Sequence, residues 1–336
     1  MAPGRTRAAT TPAPPRLHPA DLWPRLPLGE WDDTRATLQL WAQMVGKTRL
    51  ALAPMQNHWW HVTLYLTARG LGTSPMPHRG RTLELEFDFI DHALVARTSD
   101  GATRALRLAP QSVADFYQQY RGLLHGLDID VKIWPRPVET PSVTPFTADR
   151  EHASYDADAA HRCWRALTQA DRVLKQFRGG FLGKCSPVHF WWGGFDISCT
   201  RFSGRPAPRH PGGIPNLADR VTREAYSHEC ISVGWWPGGG GTPVLEPAFY
   251  AYAYPEPSGC PDATIRPAAA GYDRTLREWI LPYEAVRRAA DPDATVLEFA
   301  QSTYDAAAEL GGWDRTALER PRPAIQPATT IPTSAP

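Results

Sequence analysis

One order of segments occurs twice along this chain, and it limits the possible folds more than any bulk property does. Ser112-Val-Ala-Asp-Phe-Tyr-Gln-Gln-Tyr120, running on to Leu123–Asp130, is echoed by Thr295-Val-Leu-Glu-Phe-Ala-Gln-Ser-Thr-Tyr304, running on to Leu310–Asp314. Upstream of each copy lies an aromatic string, Asn57-His-Trp-Trp-His61 in the first case and Val188-His-Phe-Trp-Trp192 in the second. In both stretches the expected order is helix, aromatic strand, more strands, helix. An internal duplication of this kind places a cleft where the halves meet. The expected fold class is therefore α+β, with mostly antiparallel sheet built from two related halves.

The boundaries follow from composition. Residues 1–21 and 321–336 are rich in Pro, Ala and Thr and read as disordered tails. The first half spans 22–134 and the second 151–320. Between them, Pro135, Pro137, Pro141 and Pro145 mark 135–150 as a connector. Apolar spacing predicts a helix from Asp33 to about Met44, ended by Gly46, then strands at 48–53 and 59–68. Thr82–Phe89, Ala93–Thr98 and Thr103–Leu108 read as strands, the last two joined by a tight turn at Ser99-Asp100-Gly101. Ser112 caps the first repeated helix. The second half opens with a helix over 158–177, continues with strands at 188–200, 229–235, 248–254 and 278–281, and closes with a helix over 293–310. Loops at 204–215 and a glycine run at 238–241 interrupt it.

A net charge of +1 with no basic block in the folded region argues against nucleic acid as the partner. No apolar run approaches the length of a membrane span, and the N-terminus lacks the apolar stretch of a secretory signal. Five cysteines without a C-x-x-C pair fit reduced thiols, so a cytoplasmic location is expected. Several nucleotide and hydrolase motifs fail on single residues. Gly46-Lys47-Thr48 has Trp41 where a P-loop needs glycine, and Gly183-Lys184-Cys185 has Arg178 there. His228-Glu229 lacks a second histidine, Ser232 standing in its place. No G-x-G-x-x-G or G-x-S-x-G occurs.

The chemistry must therefore come from constellations. His189, on a strand among aromatics, needs a partner for its ring nitrogens: it is either a core histidine bonded to a carbonyl or a metal ligand or general base. Tyr226-Ser-His-Glu229 enters a strand, so His228 and Glu229 face opposite sides unless a bulge intervenes. Either residue, with His189, would complete a two-His, one-carboxylate set for a divalent transition metal. The loop from Arg201 to Asn216 carries Arg201, Arg205, Arg209 and His210; its arginines suit a bound carboxylate or phosphate, or simply solvent. Trp59, Trp60, Trp191 and Trp192 read as core residues or as an aromatic wall for a ring, a sugar or a cation. Tyr250, Tyr252 and Tyr254 alternate with alanines, so the three phenols share one strand face and line a polar cavity or the surface.

Trp23-Pro-Arg-Leu-Pro27, Asn57-His-Trp-Trp60, Phe87-Asp-Phe-Ile-Asp91, Glu151-His-Ala-Ser-Tyr-Asp156, Ser186-Pro-Val-His-Phe190, Arg201-Phe-Ser-Gly204, His210-Pro-Gly-Gly213, Tyr226-Ser-His-Glu229 and Ala248–Pro257 resemble one bacterial family known only as a domain of unknown function. The resemblance implies one unit from about residue 22 to 320 and carries no activity with it. The residues themselves point to a small-molecule enzyme, metal-assisted or not. Its acid–base or ligand set would be His189, His228, Glu229 and His210, with Arg201, Trp59, Trp60, Trp191, Trp192, Tyr250, Tyr252 and Tyr254 around the substrate. The alternatives are a non-catalytic binder of an aromatic or anionic small molecule, and a structural protein whose aromatics are core.

Overall fold

The structure, a computed structural model, describes residues 22–214, 216–239 and 246–321. Both tails lie outside them, save Pro321, as does the glycine run beyond Gly239. After a 3₁₀ turn at Leu28–Glu30 comes helix α1 (Asp32–Leu52), then a second 3₁₀ turn at Asn57–Val62. Six strands follow: β1 (Tyr65–Leu66), β2 (Gly70–Gly72), β3 (Met76–His78), β4 (Arg81–Asp88), β5 (Ala93–Thr98) and β6 (Thr103–Arg107). Helix α2 (Val113–His125) closes this stretch, and Ser112 caps it by accepting from Asp115 N at 3.1 Å. The second stretch opens with α3 (Ala157–Gly179), capped by Asp156. It continues with β7 (His189–Trp191), β8 (Asp196–Pro206), α4 (Asp219–Ala225), β9 (His228–Trp236), β10 (Ala248–Tyr254), β11 (Gly271–Asp273) and β12 (Glu278–Pro282). Helices α5 (Tyr283–Arg288), α6 (Pro292–Leu310) and α7 (Arg315–Leu318) complete the described chain.

The strands form two six-stranded antiparallel sheets, which with the helices make the α+β class read from the sequence. One runs β1-β2-β4-β5-β6, with β3 also on β4; the other runs β11-β12-β10-β9-β8-β7. Their edges are stitched where Leu64 and Phe190 exchange backbone hydrogen bonds of 2.9 Å. Among the described residues no helix is long and apolar enough to cross a membrane.

The second sheet has two unlike faces, and the period of two explains both. Ile197, Cys199, Ile231, Val233, Trp235, Phe249, Ala251, Trp279 and Leu281 are all buried on one face, which packs under α3 and α6. Burying such a row removes a large apolar area from water and supplies much of the driving force for this half. The register puts Asp196, Ser198, Thr200, Ser232, Gly234, Tyr250, Tyr252 and Glu278 together on the other face. That face is polar, and it faces the cleft described below.

Helix α1 departs from the expected boundaries. It runs through Gly46 to Leu52, so residues 48–52 are helix rather than strand. Glycine does not end the helix because it has a packing role there. A Cβ on Gly46 would overlap the indole of Trp192, whose Nε1 donates to Val62 O at 2.7 Å. Alanine for glycine in a helix ordinarily stabilises by roughly 1 kcal/mol. Here Gly46→Ala is expected to destabilise by about 1–3 kcal/mol through overpacking, read as a lower urea midpoint at unchanged slope. A raised midpoint would show that Trp192 yields freely.

The two aromatic strings also differ in backbone. Residues 189–191 are strand, whereas Asn57–Val62 is a 3₁₀ turn with His58 and Trp59 at φ 57° and 62°. The expected strand over 59–68 reduces to Tyr65–Leu66, the pair of residues that finds a partner in β2. The expected strand over 188–200 is broken by a turn at 192–195 into β7 and β8. The proline-rich segment is no loose tether. Phe146 is fully buried, and Gln43 of α1 clasps the Val138 backbone with two hydrogen bonds, of 2.7 and 2.9 Å.

Candidate functional site

The polar sheet face, α1 and the proline-rich segment enclose a cleft of about 540 Å³, lined on its acidic side by Glu139, Asp196 and Glu278. A second chamber of about 290 Å³ shares Glu139, Asp196, Tyr250 and Tyr252 with it and is walled by Trp59, Trp60, Trp191 and Trp192. The sequence assembles this space through its glycines. A Cβ on Gly193 would strike the Glu139 carboxyl, and one on Gly194 would strike Asp196 Oδ1. The Gly-Gly step after Trp191-Trp192 therefore leaves room for both carboxyls. Gly234 does the same for Tyr250, whose ring leans across β9 so that its hydroxyl donates to Asp196 Oδ2.

Helix α1 supplies the opposite wall with Arg35 and Gln39, the first two members of a polar stripe at four-residue spacing that continues through Gln43 and Lys47. Gln39 donates to Gly193 O at 2.6 Å, and Arg35 donates to Gln39 at 2.9 Å. Glu139 sits at φ 54°, a left-handed conformation that costs a glutamate energy. The Gln43 clasp on Val138 and the packing of Phe146 hold it there.

The electrostatics follow from depth and proximity. Burial pushes the Asp196 carboxyl up to about 6, opposed by the Tyr250 hydrogen bond. Glu139 is open to cleft water, yet its carboxyl lies deep in the molecule; burial and then the charge of Asp196 push it up to about 7, with Lys47 opposing. Glu278 rises to about 7 from burial, then from Asp196 and Asp273. Lys47 falls to about 8 because burial outweighs the pull of Glu139. Removing the phenol hydroxyl with Tyr250→Phe takes a donor from the ionised form of Asp196. Its titration is then expected to move upward by about one unit, seen in carboxyl-carbon NMR. A downward move would mean that the hydrogen bond favours the neutral acid.

The residues picked from the sequence divide between this site and other places. Tyr250 and Tyr252 line both chambers, and the four tryptophans wall the inner one. Trp191 Nε1 donates to Ser198 at 2.9 Å. His58 lies on the inner wall, taking a hydrogen bond from Lys184 at 2.6 Å on Nε2 and giving one to Ala225 O at 2.9 Å from Nδ1. His210 stacks on Tyr226, whose hydroxyl is 2.9 Å from that of Tyr252, so it stands one ring behind the cleft. Tyr254 shares the phenol face but donates to Pro208 O, outside both chambers.

The metal set read from the sequence does not assemble. His189 is level with Ser198 and, across β8, with Gly234, six positions along β9 from His228. The two rings therefore do not meet at one point. Glu229 points to the other face, where it pairs with Arg205 at 2.7 Å and Ser203 at 2.9 Å. His228 instead meets His58 edge-on at 5.8 Å. Among the described residues no group of three His, Cys, Asp or Glu is placed to hold a metal ion. Arg201 is no anion clamp either. As an odd-numbered residue of β8 it points under the helices, 1% exposed, between Phe177 and Tyr304 at 3.5 and 4.3 Å. His189 is fully buried with both ring nitrogens unpartnered, beside Trp60 and Trp191, and burial lowers its pKa to about 3.

Three acidic residues went unmarked in the sequence. Glu139 lies in a stretch whose prolines suggest a connector, Asp196 ends an aromatic string, and Glu278 opens a short strand. The polar stripe on α1 and the paired glycines before Asp196 were the available signals.

The fold and the site define a class: a two-sheet α+β protein with an acidic, tryptophan-walled cleft. The chain belongs to a family of unknown function, DUF5996, whose sequence model matches residues 23–320. That span takes in both sheets and the proline-rich segment between them. No curated protein and no solved structure matches the chain.

Proposed function

We propose that this protein is an enzyme that moves a proton on a small organic molecule held in the cleft. Asp196, oriented by Tyr250, acts as the base, and Glu139 is its proton-donating partner. The observation that carries this reading is the pair of carboxyls converging on one cavity, with ionisations displaced to about 6 and about 7. An acid and a base work best when they titrate near the ambient pH. Tyr250 keeps its proton, since burial raises its ionisation well above the usual phenol range, and so remains a donor to Asp196. The four tryptophans would exclude water and seat the carbon body of the substrate. Binding of an anion has less support. Arg201 is on the wrong face, and Arg35 is already tied to Asp32 at 2.6 Å and to Gln39.

The test is to incubate the purified full chain with a broad metabolite mixture and to follow every component by mass spectrometry. Asp196→Asn and Glu139→Gln serve as paired controls. At least one compound should be converted by the wild type and spared by Asp196→Asn. If all three proteins leave the mixture unchanged, the enzyme reading falls and a binding role takes its place.

A further inference from the structure

The cleft holds more negative charge than the protein answers. Among the described residues no Lys or Arg forms an ion pair with Glu139, Asp196 or Glu278. The cations nearest in the sequence of the wall have other partners. Arg35 is held by Asp32, and the Lys47 ammonium lies over the Trp192 ring at 5.6 Å. Asp196 and Glu278 are half-buried and have no ion-pair partner, so their ionised forms are disfavoured unless something cationic joins them.

The walls favour the same kind of visitor. Tryptophan faces attract an ammonium more strongly than other aromatic rings do, and four tryptophans line the inner chamber. A histidine lies directly behind that wall. His189 projects to the cleft side of the sheet, level with Ser198, and is 0% exposed, with neither nitrogen partnered. Its ring stays neutral, so it offers a hydrogen-bond acceptor and no charge. The ring lines neither chamber, so it stands outside the space a ligand would fill.

We infer that the ligand of this cleft is a protonated amine on a compact apolar body. Its ammonium faces Asp196, and its carbon frame lies against Trp59, Trp60, Trp191 and Trp192 in the chamber of about 290 Å³. The inference deepens the proton-transfer reading and rests on it for the location of the site. It names the substrate class, a small primary amine, which that reading left open.

Three probes of nearly equal shape separate charge from size: benzylamine, benzyl alcohol and benzoate. Each is titrated into the full chain by calorimetry, with tryptophan fluorescence as a second readout. Benzylamine is expected to bind at least about tenfold more tightly than benzyl alcohol, and benzoate most weakly. Lowering the pH from about 7.5 to 5.5 should weaken benzylamine several-fold in the wild type, as the facing carboxyls take up protons. The groups that face the ammonium are Asp196 of β8, Glu278 of β12 with Asp273 of β11 behind it, Glu139, Lys47 and Arg35 of α1, and His58. Glu278→Gln, which keeps shape and removes a charge, should reduce the preference for amine over alcohol.

Equal affinity for amine and alcohol, tighter benzoate, or no benzylamine binding up to about 10 mM overturns the inference. The two readings fail separately. Amine selectivity without turnover of any metabolite keeps the inference and removes the enzyme. Turnover of a neutral or anionic compound, with no amine preference, does the reverse.

Discussion

Asp196→Asn is expected to slow turnover at least about 100-fold, the usual loss when a positioned base is removed. The same variant should be more stable than the wild type above neutral pH. Asparagine keeps the shape and still accepts from Tyr250, so the shape of the surface survives; the lost base lowers kcat, and the lost charge raises KM for an ammonium substrate. The stability gain follows from the displaced ionisation. In the unfolded chain this carboxyl titrates near 3.9, whereas in the folded protein it titrates at about 6. Its contribution to stability is therefore fully present below about pH 4 and is lost as pH rises through 6. By pH 8 the wild type carries an unfavourable buried charge worth on the order of 2 kcal/mol, which the variant lacks. Thermal unfolding from pH 4 to 8 should show the two melting temperatures converge in acid and separate by several degrees in base. A variant less stable at pH 8 would mean that Asp196 has a cationic partner in the folded state. A variant that keeps full turnover would move the base elsewhere in the cleft.

The second large effect is structural. Arg201→Ala should cost about 3–5 kcal/mol, the range seen when a large buried side chain is cut back to alanine. The guanidinium is enclosed by Phe177, Phe181 and Tyr304, at 3.5, 5.0 and 4.3 Å, and donates to Phe177 O at the end of α3. Alanine would leave a void between β8, α3 and α6 and release that carbonyl. Arg201→Met fills most of the space without the charge and should recover much of the loss. Urea midpoints of the three proteins decide this. Should Arg201→Ala prove as stable as the wild type while losing ligand affinity, the anion-binding role first read from the sequence would return.

The difference between these two residues explains what could be read early and what could not. Helices α2 and α6 were legible from the repeated strings that open them, and α3 as one long helix after the connector, because helical patterns are local. Alternation located β10 and placed Tyr250 and Tyr252 on one face, because side chains in a strand alternate whatever the strand packs against. The Ser112 cap and the turn at Ser99-Asp100-Gly101 are equally local. Gly46 misled because glycine in a helix is read as an ending, and its partner Trp192 is far away in sequence. Arg201 misled because its loop suggested solvent, while the strand pairing sends it beneath the helices.

By itself, then, the sequence determined the α+β class, the main helices and the alternation of the tyrosine strand, since all of these depend on neighbours within a few residues. The tertiary structure alone decided which polar groups meet. The clasp of Gln43 on Val138 holds Glu139 in the same cavity as Asp196, and Tyr250 reaches Asp196 by leaning over Gly234. His189 and His228 stay apart because of strand register. Those distances depend on how three strands, one helix and a proline-rich segment come together, and no short-range pattern along the chain encodes them.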